Sequence, residues 1–146
     1  MKKVRIELDP QGPITIEREV AIPTFDGSPL KVCFAFRVRT RVDFAEQIAQ
    51  PRIDRMSATA REAVMEQREV AKTGEIPSPK DIGKLAAAHV VAQVASILAM
   101  ASDWGIEGQD FNEENVRKFV NLYPGAEDAI FEDYRKGSVE GRLGNS

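Results

Sequence analysis

Leu85 to Ala101 is a run of 17 residues without a charged side chain, and no other stretch limits the fold so tightly. A helix apolar nearly all round has no side to offer water, so protein must cover most of it. The run falls just short of the ~20 residues that cross a bilayer, and His89, Gln93 and Ser96 lie inside it. A buried helix is therefore expected, and a membrane span is not. One domain of 146 residues has few elements with which to wrap such a helix. Its cover is expected to come from the core and, for part of the surface, from a second subunit.

The residues before it read first as strand. "KVRIEL", the breaker "DPQGP" and "ITIEREVAI" suggest two runs joined by a turn, with Ile14, Ile16, Arg18 and Val20 alternating against Thr15, Glu17, Glu19 and Ala21. After the loop "PTFDGSP", the run "LKVCFAFRVR" sets Val32, Phe34, Phe36 and Val38 on one face. This is a small antiparallel sheet of two or three strands, which cannot hide its apolar face alone.

From Thr40 the period changes. Its hydroxyl can cap the amide of Asp43, and Val42, Phe44, Ala45 and Ile48 follow helical spacing, with Pro51 either interrupting the helix or restarting it. Met56, Ala60, Ala63, Val64 and Val70 then form an apolar stripe on an amphipathic helix that Gly74 closes. Beyond the hinge "EIPSPK", Ser78, Pro79 and Asp81 open the apolar helix. "DWGIEGQDF" reads as a loop with a hydrophobic plug. Asn112 caps a helix whose inner face is Val116, Phe119, Val120 and Tyr123. Pro124 ends that helix, and a last one runs to Gly137. The fold class is α+β, mainly α: an N-terminal antiparallel hairpin or small sheet over residues 1–39, four to five helices over 40–137, and a frayed tail over 138–146.

Little in this inventory suggests chemistry. His89 is the only histidine and Cys33 the only cysteine, too few for a closed zinc site or an internal disulfide. His89 is expected in the core or an interface, and Cys33 as a buried small hydrophobe. Asp110, Glu113 and Glu114 lack the calcium-loop pattern, and Gly105 and Gly108 lack the Lys-Ser/Thr of a phosphate loop. A net charge of −3 and a pI near 5.3 argue against nucleic acid, which demands clustered cations. Arg37, Arg39 and Arg41 alternate as a solvated strand edge would, with an acidic-partner patch as the other reading. No enzyme activity, cofactor or metal is expected. The single cysteine and the absence of a signal-peptide apolar core fit a reducing cytoplasm.

A further pattern runs from "FAFRVRTRVDFAEQI" through a charged helix and an Ala/Val-rich helix into "SDWGIEGQDFNEENVRKFVNLYPGAEDAIFEDYRKG". It resembles the tail assembly chaperones of long-tailed bacteriophages and prophages over about residues 30 to 137. The likeness rests on Trp104, Phe111, Glu114, Asn115, Tyr123, Pro124, Gly125, Ala126, Ala129, Ile130 and Tyr134. The stretch from Pro51 to Asp81 is longer and richer in Arg than the usual pattern. The resemblance implies a small, mainly helical protein with an N-terminal β-hairpin that acts in the host cytoplasm, keeping the tape measure protein soluble and helping recruit tail-tube subunits, while the apolar helix that one domain can hardly cover is what points to a homo-oligomer. It implies absence from the finished virion; the exclusion of membrane and nucleic-acid partners rests on the helix length and the charge. Such work needs apolar surface that a long helix can occupy. Candidate partner-binding residues are Leu85 and Val91 on the apolar helix, Phe34 and Phe36 on the strand face, and Trp104, Phe111, Asn115, Phe119, Tyr123 and Tyr134 in the C-terminal pattern. Trp104 reads either as an internal plug or as an anchor for a partner. The competing function is a head–tail connector or tail-completion protein that stays in the particle.

Overall fold

The computed structural model describes residues 1–6, 8, 14–74 and 79–139. The alternating runs form β1 (Thr15–Ile22) and β2 (Leu30–Arg37), an antiparallel hairpin in register from Thr15 opposite Arg37 to Ile22 opposite Leu30. Alternation sends Val20, Ile22, Val32, Phe34 and Phe36 into the core. It equally sends Cys33 out: the thiol expected to be buried is exposed on the outer face. A third strand, β3 (Ala101–Trp104), pairs antiparallel with β2, Phe34 opposite Trp104 and Phe36 opposite Ala101, giving the order β1-β2-β3. The sequence placed these residues at the end of a helix and in a loop. Their strand state comes from a ladder made with residues far away in the chain, which no local signal carries.

The described residues of the N-terminal "KVRIEL" join no strand. Residues 1–6 carry no regular structure, and Val4, Ile6 and Leu8 stand 81%, 73% and 86% exposed. The expected "DPQGP" turn falls outside the described residues. The three arginines share no strand face either, because β2 stops at Arg37. Arg39 turns inward and its Nη2 donates to the carbonyl of Ala99 at 3.0 Å.

Thr40 caps as its position suggests, Oγ1 accepting from the Asp43 amide at 3.1 Å. Helix α1 (Arg41–Phe44), a π turn (Ala45–Ala49) and α2 (Gln50–Thr73) follow without a break. Pro51 therefore neither interrupts nor restarts the helix. A proline lacks an N–H and pushes its ring at the carbonyl four residues back. The wider turn, in which Gln50 N–H donates to Ala45 C=O, opens the ladder where that conflict would arise. Gly74, at φ +71°, ends α2 in the left-handed conformation that a Cβ disfavours. Ser78 and the hinge 75–78 lie outside the described residues, as do the side chains of Ala63 and Val70 and the tail from 140 onward.

Helix α3 (Pro79–Met100) is divided in its surroundings. Ala92, Gln93, Val94, Ser96, Ile97 and Met100 are buried, whereas Ile82 and Val91 are 59% and 63% exposed and His89 is exposed too. Only 28% of the apolar span Ile82–Met100 is buried. The cover expected on most sides exists at the C-terminal half alone. By length and composition this span could cross a membrane, but its C-terminal half is fixed between sheet and helices. The helix also packs against α2, which itself exposes Ile53, Val64 and Met65.

Helix α4 (Glu113–Leu122) starts under Asn112, whose Oδ1 accepts from the Asn115 amide at 2.8 Å. Its buried face is Val116, Phe119 and Val120. Asn112→Ala is expected to cost about 1 kcal/mol, read as a fall of roughly 2–4 °C in the thermal midpoint. Helix α5 (Ala126–Tyr134) runs on into a second π turn (Arg135–Val139). Gly137 therefore sits inside this last turn and not at a helix end. A Cβ there would lie 2.5 Å from the Arg18 side chain, which pairs with Asp133 at 2.6 Å. The core fills the space between the sheet's inner face and Ile97, Met100, Val116, Val120, Ile130 and Tyr134.

Candidate functional site

The C-terminal pattern folds into a continuous line of aromatic contacts. Phe36 meets Tyr134 edge-on at 5.3 Å and stacks beside Phe34 at 5.8 Å. Phe34 meets Trp104 at 6.5 Å, Trp104 meets Phe111 at 5.3 Å and Phe119 at 5.4 Å, and Phe119 meets Tyr123 at 5.2 Å. Edge-to-face geometry of this kind adds to the gain from burial. Polar ends are satisfied along the way. Trp104 Nε1 donates to Gln109 C=O at 2.7 Å and Asn115 Nδ2 to Asp110 C=O at 2.8 Å, which closes the loop before α4. Tyr134 Oη donates to Arg37 C=O at 2.7 Å, tying α5 to the end of β2.

Burial raises the Tyr134 pKa above its ordinary value, with nearby Arg39 opposing the shift. A phenol raised in the folded state contributes stability that is full below its unfolded value of about 10 and lost as pH rises through the folded value. The wild type is expected to lose thermal stability as pH rises above about 10, with Tyr134→Phe removing this group's share. Thermal melts across that range, run on both proteins, decide it.

A second cluster was not legible in the sequence. Glu127, fully buried at the start of α5, accepts from Arg52 Nε at 2.6 Å, Arg52 Nη2 at 3.0 Å and Ser96 Oγ at 2.8 Å. Arg52 also reaches Asp128 at 2.7 Å and lies 4.0 Å above the Phe131 ring. The Glu127 hydrogen bond, ahead of the other contributions, raises the Arg52 pKa. One carboxylate thus pins α2, α3 and α5 together. An acid early in a helix looks like an ordinary dipole partner, and nothing local to Glu127 reveals a guanidinium 75 positions away.

Beside Trp104 the surface opens into a groove of about 390 Å³. Its walls include Leu30, Val32, Trp104, Ile106, Phe119, Leu122 and Tyr123, with Glu107 and Lys118 on the rim. The groove exists because β3 stops opposite Phe34 while β2 continues back to Leu30.

The candidate partner-binding residues divide by exposure. Phe34, Phe36 and Tyr134 have no exposed surface, and Trp104 and Phe119 keep 8% and 7%. Leu85, Phe111, Asn115 and Tyr123 are half-buried, and Val91 stands in solvent. Trp104, Asn115, Phe119 and Tyr123 come together at the groove, while Leu85 and Val91 lie on α3. Leu122 and Ile82, 60% and 59% exposed, belong to the same two surfaces and were missed. Their exposure at apolar helical positions depends on which face the core happens to take. His89 on α3 and Cys33 on β2 stand on different elements, both facing solvent.

A family model described as phage tail assembly chaperone matches residues 1–145 of the chain. No curated protein and no solved structure matches it.

Proposed function

The chain belongs to the phage tail assembly chaperone family, and we propose that it binds the tape measure protein, keeps that protein soluble and helps bring tail-tube subunits to it. It acts without catalysis or cofactor in the host cytoplasm and leaves before the virion is complete. One observation carries this reading: the most apolar helix of the chain leaves its N-terminal half uncovered, with Ile82 and Val91 in solvent. A helix this apolar, left uncovered, is a place for a partner. Ile53, Val64 and Met65 on the neighbouring α2 extend the same character. An apolar helix beside an amphipathic one offers the ridges and grooves on which a third, amphipathic helix can lie. A tape measure protein, long and helical, presents such segments in number.

The membrane alternative is disfavoured by the other half of the helix. Ser96 is buried and bonded to Glu127, so α3 cannot enter a bilayer without dismantling the core. Co-expression with the tape measure protein tests the proposal. Wild-type chain is expected to move the tape measure protein into the soluble fraction. The pair Ile82→Asp and Val91→Asp is expected to abolish this while the chaperone itself keeps its fold, since exposed positions tolerate such changes within about 0.5 kcal/mol. A tape measure protein equally soluble with either version would refute the surface. Mass spectrometry of purified virions is expected to find the chain missing or in trace, and a stoichiometric amount would favour a retained connector.

A further inference from the structure

We infer that the N-terminal arm of one copy, Val4 to Leu8, docks as an added strand in the groove beside β2 of a second copy. The sequence alternates Val4, Ile6 and Leu8 with Arg5 and Glu7, the pattern of a strand with one buried face. Nothing in its own subunit buries that face, since the three apolar side chains are 81%, 73% and 86% exposed. Five residues that alternate so cleanly are built for a surface the single chain does not provide.

The groove supplies what such a strand needs. Along β2 the backbone groups of alternate residues point to the same side. Gly105 N–H donates to Cys33 C=O at 2.8 Å on the β3 side, so Lys31, two residues earlier, turns its N–H and C=O to that side as well. β3 ends opposite Phe34, which leaves the Lys31 pair facing the groove with no strand against it. An incoming strand hydrogen-bonds there and lowers every second side chain onto Trp104, Ile106, Phe119, Leu122 and Tyr123. The rim carries Lys31 and Lys118 as well as Glu107, so the apolar side chains and the free backbone groups, not charge, select the strand.

The occupant is a second copy because a chain's own arm starts in the wrong place. Ile14 C=O accepts from Val38 N–H at 2.8 Å, which roots the arm on the β1 side, past the opposite end of β2. From there to Lys31 is about 23 Å along the strand and about 10 Å across two strand spacings. The stretch from Ile14 to Leu8 spans at most ~22 Å, short of that separation, so the inner end of the arm cannot lie beside Lys31 of its own chain and the residues before it could do so only fully extended across the sheet. A neighbouring copy has no such tether. This inference is independent of the tape measure surface, which lies on α2 and α3.

Sedimentation across a concentration series tests it on the full chain. The wild type is expected to associate into a species of defined mass. The arm variant Val4→Asp/Ile6→Asp and the groove variant Leu122→Asp are each expected to stay monomeric with unchanged circular dichroism and melting. Mixed together, the two variants are expected to recover a 1:1 complex through the one intact arm and the one intact groove. A synthetic peptide of residues 1–8 is expected to shift Trp104 fluorescence in the arm variant and not in Leu122→Asp. A monomeric wild type, an arm variant that associates normally, or a mixture that stays monomeric would each overturn the inference. So would an arm variant that melts earlier at unchanged mass, since that places the arm on its own subunit.

Discussion

Arg52→Ala is expected to destabilise the protein by about 3–5 kcal/mol, a large share of the roughly 5–15 kcal/mol that holds a domain folded. The size of the effect comes from what is left behind. Glu127 has no exposed surface, and without Arg52 it keeps, among the described residues, only the Ser96 hydroxyl against a buried negative charge. Helices α2, α3 and α5 meet at this carboxylate, so loosening it loosens all three. The thermal midpoint should fall by roughly 6–20 °C, taking about 2–4 °C per kcal/mol for a chain of this length. Asp128→Ala serves as the control. Its carboxylate is 76% exposed, and removing an exposed partner is worth about 1 kcal/mol at most. The double variant Arg52→Leu/Glu127→Met, which removes both charges, is expected to regain much of the loss. If Arg52→Ala and Asp128→Ala melted alike, the buried pair would not be the pin it is taken for.

That pin also marks where the sequence stops being readable. The caps at Thr40 and Asn112, the stop at Gly74 and the inner face of α4 are local features, each set by residues within a turn of one another, and each was legible. So was the β1–β2 hairpin, whose alternation survives any arrangement of the rest. Strand β3 was not, because Ala101 to Trp104 contains no breaker and owes its state to Phe34–Phe36. Nor was the continuity through Pro51, where a π turn settles a conflict that composition can only announce. Cys33 was misplaced, and so was the core half of the reading for His89, for one shared reason. Residue type suggests burial, but the face a strand or helix turns inward is chosen by its neighbours in space. The arm shows the same limit: its alternation is plain, yet whether an edge is open to it is a property of the folded sheet. Of the candidate binding residues, those on the C-terminal pattern largely build the core, and the exposed remainder, led by Val91, are the ones a partner can reach.

The indole of Trp104 gives the second large effect. Trp104→Ala is expected to cost about 3–5 kcal/mol, the range for emptying a large aromatic site. Three ring contacts go at once, to Phe34, Phe111 and Phe119, and with them the bond that holds Gln109 C=O. The loop between β3 and α4 loses its anchor at both ends, since Phe111 packs only on the ring that has been removed among the described aromatic pairs. Trp104→Phe separates the contributions. It keeps most of the packing and loses the Nε1 donor, so it is expected to recover more than half of the stability while the loop remains loose. Amide exchange over residues 105–112 reads the loop, and thermal melts read the core. Because Trp104 also floors the groove, the alanine variant is expected to bind the residue 1–8 peptide weakly, whereas Phe keeps the apolar floor and most of the affinity. Stable folding in Trp104→Ala, with its midpoint within 2–4 °C of the wild type (about 1 kcal/mol at this size), would mean that the aromatic line is ornament and that the sheet and α4 are joined by something else.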